Sequence, residues 1–220
     1  MGLFPPADRP FLLERCETAE IPEELPVPAS DLIHPFAAAD PRTRKQLFFL
    51  LLVLTAAALF AQQGINAGLK TAAAPSGIVS FELAGRLPAA REILASWEGR
   101  REILAGLSLG TDYLFLVSYA LFLALACGMA AEGWARRKRL PAVLGAGLAW
   151  GQLLAGMLDA TENFALIRIL LGSANPVWPV LAKSCAVPKF VLVGLGIVYL
   201  SASGVAFGIR RPVAGKSVNR

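Results

Sequence analysis

Residues 141–163 read PAVLGAGLAWGQLLAGMLDATEN. Within this stretch Gly145, Ala149, Gln152, Gly156, Asp159 and Asn163 follow one another at steps of 4, 3, 4, 3 and 4. That spacing is a heptad seam, the stripe a helix turns toward its partners. Every member is small or polar. Leu148, Leu153, Leu154, Met157 and Leu158 fall mainly on the other faces, where contact with lipid is tolerable. Small residues let helix backbones approach, and polar ones avoid hydrocarbon by bonding across helices. Gly147 and Gly151 repeat the small-xxx-small pattern, as do Gly204 and Gly208, so Gly145, Gly147, Gly151 and Gly156 are the expected helix-packing positions.

The same character extends along the chain. Residues 46–69, 113–131, 141–158 and 190–209 contain no Asp, Glu, Lys or Arg. A helix crossing a bilayer needs about 20 mostly apolar residues, within a range of about 17–25. One such run fits a buried core helix, but four in 220 residues do not. The chain is 55% hydrophobic and 17% charged, against roughly 25% charged in a typical soluble domain. The expected fold is an all-α, four-helix transmembrane bundle, with spans at about residues 46–66, 107–131, 141–165 and 188–209.

Basic residues punctuate these runs. Arg42, Arg44 and Lys45 precede the first. Arg136, Arg137, Lys138 and Arg139 join the second and third, opposed by Glu132. Arg210, Arg211, Lys216 and Arg220 follow the fourth. Four crossings bring all three clusters to one side, which the positive-inside rule makes the cytoplasm. Both termini are then cytoplasmic. The net charge of +5 belongs to this pattern and not to a nucleic-acid surface. Abundant Ala, Leu, Gly and Arg suit a bacterial inner membrane.

Residues 1–45 hold eight of the fifteen prolines and a cluster of acids. They read as a disordered cytoplasmic arm with the option of a short helix near Phe11–Ala19, and its lone histidine, His34, as a solvated residue. The first apolar run starts too late for a cleaved leader and reads as a retained signal anchor. Residues 67–106 form an outer loop in which Ile78, Phe81, Leu87, Ile93, Leu94 and Trp97 recur at helical intervals. An amphipathic segment at the outer interface is expected there. Ser76 or Ser80 is its candidate cap, and Pro88 belongs in the first turn of a second short helix. Trp178 suits an interfacial anchor. Residues 211–220 are a basic cytoplasmic tail.

Polar residues gather at one depth. At about 1.5 Å per residue from the basic end of each span, Gln62, Asn66, Asp112, Asp159, Glu162 and Lys189 all lie about 26–33 Å up. Asp159 and Asn163 face the bundle, and Glu162 borders them one turn away. Ser108, Asp112, Phe115, Tyr119, Phe122 and Ala126 give the second span a compatible seam. Lys189, after Pro188, is expected in the first turn of the fourth span. Asp112, Asp159, Glu162, Asn163 and Lys189 are therefore the candidate ligand-binding residues. Two explanations compete for them. Structural ion pairs also pin helices together, whereas intramembrane ionisable groups default to function.

Much chemistry is excluded. With one histidine, in the arm, no His-based metal centre or His general base forms in the bundle. A carboxylate-only site for a hard cation, from Asp112, Asp159 and Glu162, is conceivable, but no spacing motif supports it. Gly215-Lys216-Ser217 lacks the first glycine of a phosphate loop, since Arg210 stands there. Cys16, Cys127 and Cys185 form no C-x-x-C pair, and the expected topology keeps them apart, so no disulfide is expected. No cofactor is expected, and the spans show no internal repeat. Expected partners are the lipid bilayer and a second copy or a membrane-complex subunit, not nucleic acid. Three function classes remain: a membrane protein with an outward-facing polar pocket for a small ligand, ion or lipid; an accessory subunit packing through small-residue seams; and an enzyme using carboxylate or lysine chemistry, for which no nucleophile stands out.

Overall fold

The computed structural model describes residues 32–209. Among these it is all helix and no strand. The elements are α1 (Pro41–Leu69), α2 (Ile78–Glu82), α3 (Leu87–Ala95), α4 (Arg100–Ala135), α5 (Arg139–Leu170) and α6 (Val177–Ile209). Four of them, α1, α4, α5 and α6, are long and apolar enough to cross a membrane. Residues 1–31, which include Cys16 and the candidate short helix, and the basic tail lie outside the described residues.

The long helices pack in chain order, α1 along α4, α4 along α5 and α5 along α6. α4 is the centre, with buried residues from Ala105 to Ala135. α1 flanks it, and only Leu51 and Leu69 of its 29 residues are buried. The seam of α5 faces its neighbours as its spacing requires. Ala149, Gln152, Asp159 and Asn163 are at most 3% exposed, while Met157 on the opposite face is 69% exposed. Gln152 donates Nε2–H to the Leu192 carbonyl of α6 at 2.8 Å, and it reaches that carbonyl because position 196 is glycine. A Cβ there would meet Gln152 Nε2 at 2.5 Å.

The packing glycines divide into two sets. A Cβ on Gly145 would meet Tyr199 Oη at 2.1 Å, and one on Gly156 would meet Ala120 Cβ at 2.8 Å. Gly147 has nothing within 4 Å, and Gly151 makes an ordinary contact with Leu192. Gly147 therefore packs against no helix among the described residues. It lies off the heptad seam, where the small-xxx-small pattern had placed it.

Two helix starts and the setting of His34 differ from expectation. α1 starts at Pro41, because Asp40 accepts hydrogen bonds from the Arg42 and Thr43 amides at 3.0 Å each and Pro41 tolerates the first helical position. Bonds from the Thr43 hydroxyl and amide hold the Asp40 carboxyl below its usual range. Residues 32–45 thus do not behave as a disordered arm. His34 is buried against Gly128, with Nε2 3.1 Å from Glu132 Oε1, so it is not a solvated residue. Arg44 pairs with the same carboxylate, which brings the basic start of α1 beside the α4–α5 turn. Finally, α6 starts at Val177, so Pro188 and Lys189 lie inside the helix and not in its first turn. Proline has no N–H to give the carbonyl four residues back, and α6 continues through it.

Residues 70–99 form a folded cap on the other end of the bundle. Phe81, Ile93 and Trp97 bury themselves with Leu69, Leu109, Leu166 and Ile169. Pro88 sits in the first turn of α3. Neither Ser76 nor Ser80 caps α2. Its N-cap is Gly77 at φ 63, and Asn66 of α1 accepts the Ile78 amide at 2.8 Å instead. Trp97 donates its indole N–H to the Leu69 carbonyl at 2.7 Å, satisfying one of the free carbonyls at the end of α1. Trp178 stacks edge-on against Phe164 and lies under the Arg168 guanidinium. Cys127 and Cys185 are both free and buried.

Candidate functional site

The polar residues from the four long helices meet just beneath the cap. Lys189 Nζ lies 3.0 Å from Asp159 Oδ1 and 2.8 Å from Glu162 Oε2. Tyr119 donates its hydroxyl to Asp159 Oδ2 at 2.8 Å. Asp112 accepts from Gln62 Nε2 at 2.8 Å and from Asn163 Nδ2 at 2.5 Å. Gln62 also donates to the Ser108 carbonyl at 3.1 Å. The five candidates therefore form two linked groups, Asp159–Glu162–Lys189 and Asp112–Asn163. Burial is deep: Asp159 is 3% exposed, Lys189 5% and Glu162 not at all.

A fourth carboxylate comes from the cap. Glu82 ends α2 with Oε2 3.8 Å from Lys189 Nζ. Burial pushes its carboxyl above the ordinary 4.5, and Asp159 and Asp112 push the same way, while the Lys189 ammonium opposes them. Sequence reasoning counted Glu82 as a loop charge. The missed signal is its position four residues after Ile78 and one after Phe81, which puts it on or beside the inward face of the short helix.

A cavity of about 550 Å³ adjoins this cluster. Glu82, Asp112, Asp159 and Lys189 line it, together with Gln62 and Asn66 of α1. Thr55, Gln63, Ser108 and Tyr119 add further polar groups, and the rest of the wall is apolar, with Leu59 from α1, Phe115 and Phe122 from α4 and Val193 and Ile197 from α6. The cavity thus lies over α4, between α1 and α6. Rim residues Leu59, Phe190 and Ile197 are exposed, so it opens sideways between α1 and α6. The volume falls within the range of about 300–1,000 Å³ typical of small-molecule sites.

No set of three or more His, Cys, Asp or Glu side chains among the described residues is arranged to hold a metal ion. Gly147 and Gly151 stand apart from the cluster, while Gly156 lets α4 approach α5 close to it. No protein family, curated protein or solved structure matches this chain.

Proposed function

We propose that this chain is a multi-pass integral membrane protein that holds an amphipathic small molecule or lipid in the cavity between α1 and α6. One observation carries the ligand: a single cavity joins buried carboxylates and a lysine to a long apolar wall. A molecule with a polar head and a hydrocarbon body matches both ends, and the sideways opening admits it from the bilayer.

The bilayer itself is supported by what the helices expose. Phe49, Val53 and Phe60 of α1 and Val191, Val198 and Val205 of α6 are half exposed or more. Contiguous apolar surface on this scale marks an interaction face, and helices of 29 to 36 residues exceed the roughly 20 needed to span hydrocarbon. The basic end then faces the cytoplasm, carrying both termini there, and the cap and cavity face outward. Composition favours a bacterial inner membrane.

The test is native mass spectrometry of gently extracted protein, wild type beside Val193→Trp, which fills the cavity while leaving every ion-pair residue in the sequence, and beside Asp159→Asn and Lys189→Met. A small molecule or lipid of defined mass bound to the wild type and lost in the variants supports the site. An adduct that survives Val193→Trp overturns it. A clean mass and an unchanged oligomer in all four favours the second reading, an accessory subunit, which draws on the outward, uncontacted Gly147.

A further inference from the structure

The donors beside the carboxylates, on Lys189, Tyr119, Gln62 and Asn163, are turned toward protein acceptors. An ammonium has three donors, and Lys189 Nζ is surrounded by three carboxylates, Glu82, Asp159 and Glu162. The Tyr119 hydroxyl is given to Asp159. The side-chain amides of Gln62 and Asn163 are given to Asp112. Acceptors, by contrast, are in surplus. Glu162 is fully buried and its Oε1 has no hydrogen-bond partner among the described residues, and Glu82 Oε2 makes none either.

The charge count points the same way. Four carboxylates, Glu82, Asp112, Asp159 and Glu162, meet one cation, Lys189. Even with one proton shared between neighbouring acids, negative charge remains in excess beside an apolar cavity, where it is poorly screened. An anionic head group would meet the wrong sign of field beside these acids. A head that brings both donors and positive charge fits.

We infer that the cavity takes a cationic amphiphile, a molecule with a protonated amine seated between Glu82 and Asp112 and a hydrocarbon tail along Phe115, Phe122 and Val193. This rests on the cavity being a ligand site at all, and it adds the sign of the ligand's charge. An alkyl chain meets the apolar wall, and the ammonium donates N–H bonds to Glu82 Oε2, which has no hydrogen-bond partner among the described residues, and to the Asp112 carboxylate, whose two oxygens each accept one amide and have further lone pairs. Such charge-assisted bonds are roughly twice as strong as neutral ones.

The experiment titrates three probes with one twelve-carbon tail, dodecylamine, dodecanol and dodecyl phosphate, against the full chain in nonionic detergent, with bound adducts counted by native mass spectrometry. Dodecylamine is expected to bind at least about tenfold more tightly than the other two, the scale of one charge-assisted hydrogen bond. Glu82→Gln and Asp112→Asn are each expected to cut the amine-to-alcohol affinity ratio about tenfold, with melting temperature and oligomeric state checking that each variant is folded. Val193→Trp should weaken all three probes. If dodecanol or dodecyl phosphate binds as tightly as the amine, and Val193→Trp still blocks it, the site stands and the inferred charge is overturned. If no probe responds to Val193→Trp, the site falls and the inference with it.

Discussion

Lys189 of α6 and Glu82 of α2 lie 3.8 Å apart, so a residue of the cap takes part in the charge balance of the bundle. The pair ties a five-residue surface helix to three long ones, because the same Nζ also meets Asp159 and Glu162 of α5, and Asp159 in turn holds Tyr119 of α4.

Lys189→Met would leave three carboxylates without their counter-charge. Removing one partner from a buried ion pair costs about 3–5 kcal/mol, and a matching fall in thermal stability is expected in detergent. In the Glu82→Gln background the same change should cost less, because one fewer acid is stranded. A double-mutant cycle on melting temperature should show coupling of about 0.5–3 kcal/mol. Zero coupling would mean that the cap does not sense Lys189.

The cap should loosen as pH rises. The carboxyl of Glu82 is raised above the ordinary 4.5, chiefly by burial. A raised folded-state value favours the protonated form, so this contribution is fully present below about 4.5 and is lost as pH climbs through the higher folded value. The groups facing Glu82 are Lys189, Asp159, Asp112 and Glu162. The comparison of wild type with Glu82→Gln isolates the one residue. Hydrogen exchange over residues 78–82, corrected for intrinsic rates, should show wild-type protection falling with pH and a flatter profile in the variant. Parallel profiles would remove Glu82 as the source.

Gly145 and Gly147 provide a matched pair two residues apart. A methyl at Gly145 runs into Tyr199 Oη and Ala131 Cβ, at 2.1 and 2.9 Å, while one at Gly147 meets nothing. Gly145→Ala is expected to destabilise by about 1–3 kcal/mol through overpacking. Gly147→Ala is expected to be neutral or to stabilise by up to about 1 kcal/mol, because alanine is the better helix former. Thermal melts of the two variants, side by side with wild type, decide the matter. A loss at Gly147 that grows with protein concentration would point to a second copy packing there.

How much of this was legible in the sequence depends on how far each signal extends. The seam of α5 persists for about five turns, and its inward set, from Gly145 to Asn163, is buried as the spacing requires. The shared depth of Asp112, Asp159, Glu162 and Lys189 was legible because helix rise is nearly constant. Glu82 was not, since α2 has only five residues, too few for a period to emerge. Pro188 misplaced the start of α6, because proline more often opens a helix than sits inside one. His34 was misjudged from the composition of its surroundings, although Asp40-Pro41 just beyond it is a helix-start pair. The cavity had no sequence signature at all. It is the space left where two flanking helices share a neighbour without closing on each other.

The polar seam of α5 also bears on how the chain enters the membrane during synthesis. α5 has the lowest hydropathy of the four long helices, 1.4 against 2.0 to 2.2 for the others. It carries Asp159, Glu162 and Arg168, and a charged residue at a helix centre costs about 2.5–3.5 kcal/mol on insertion, less toward an end. Its polar partners lie in both directions along the chain, with Tyr119 and Asp112 already made and Lys189 still to come. In the membrane reading proposed above, α5 is the segment least able to insert alone, and α4 before it and α6 after it supply the partners that its polar seam requires.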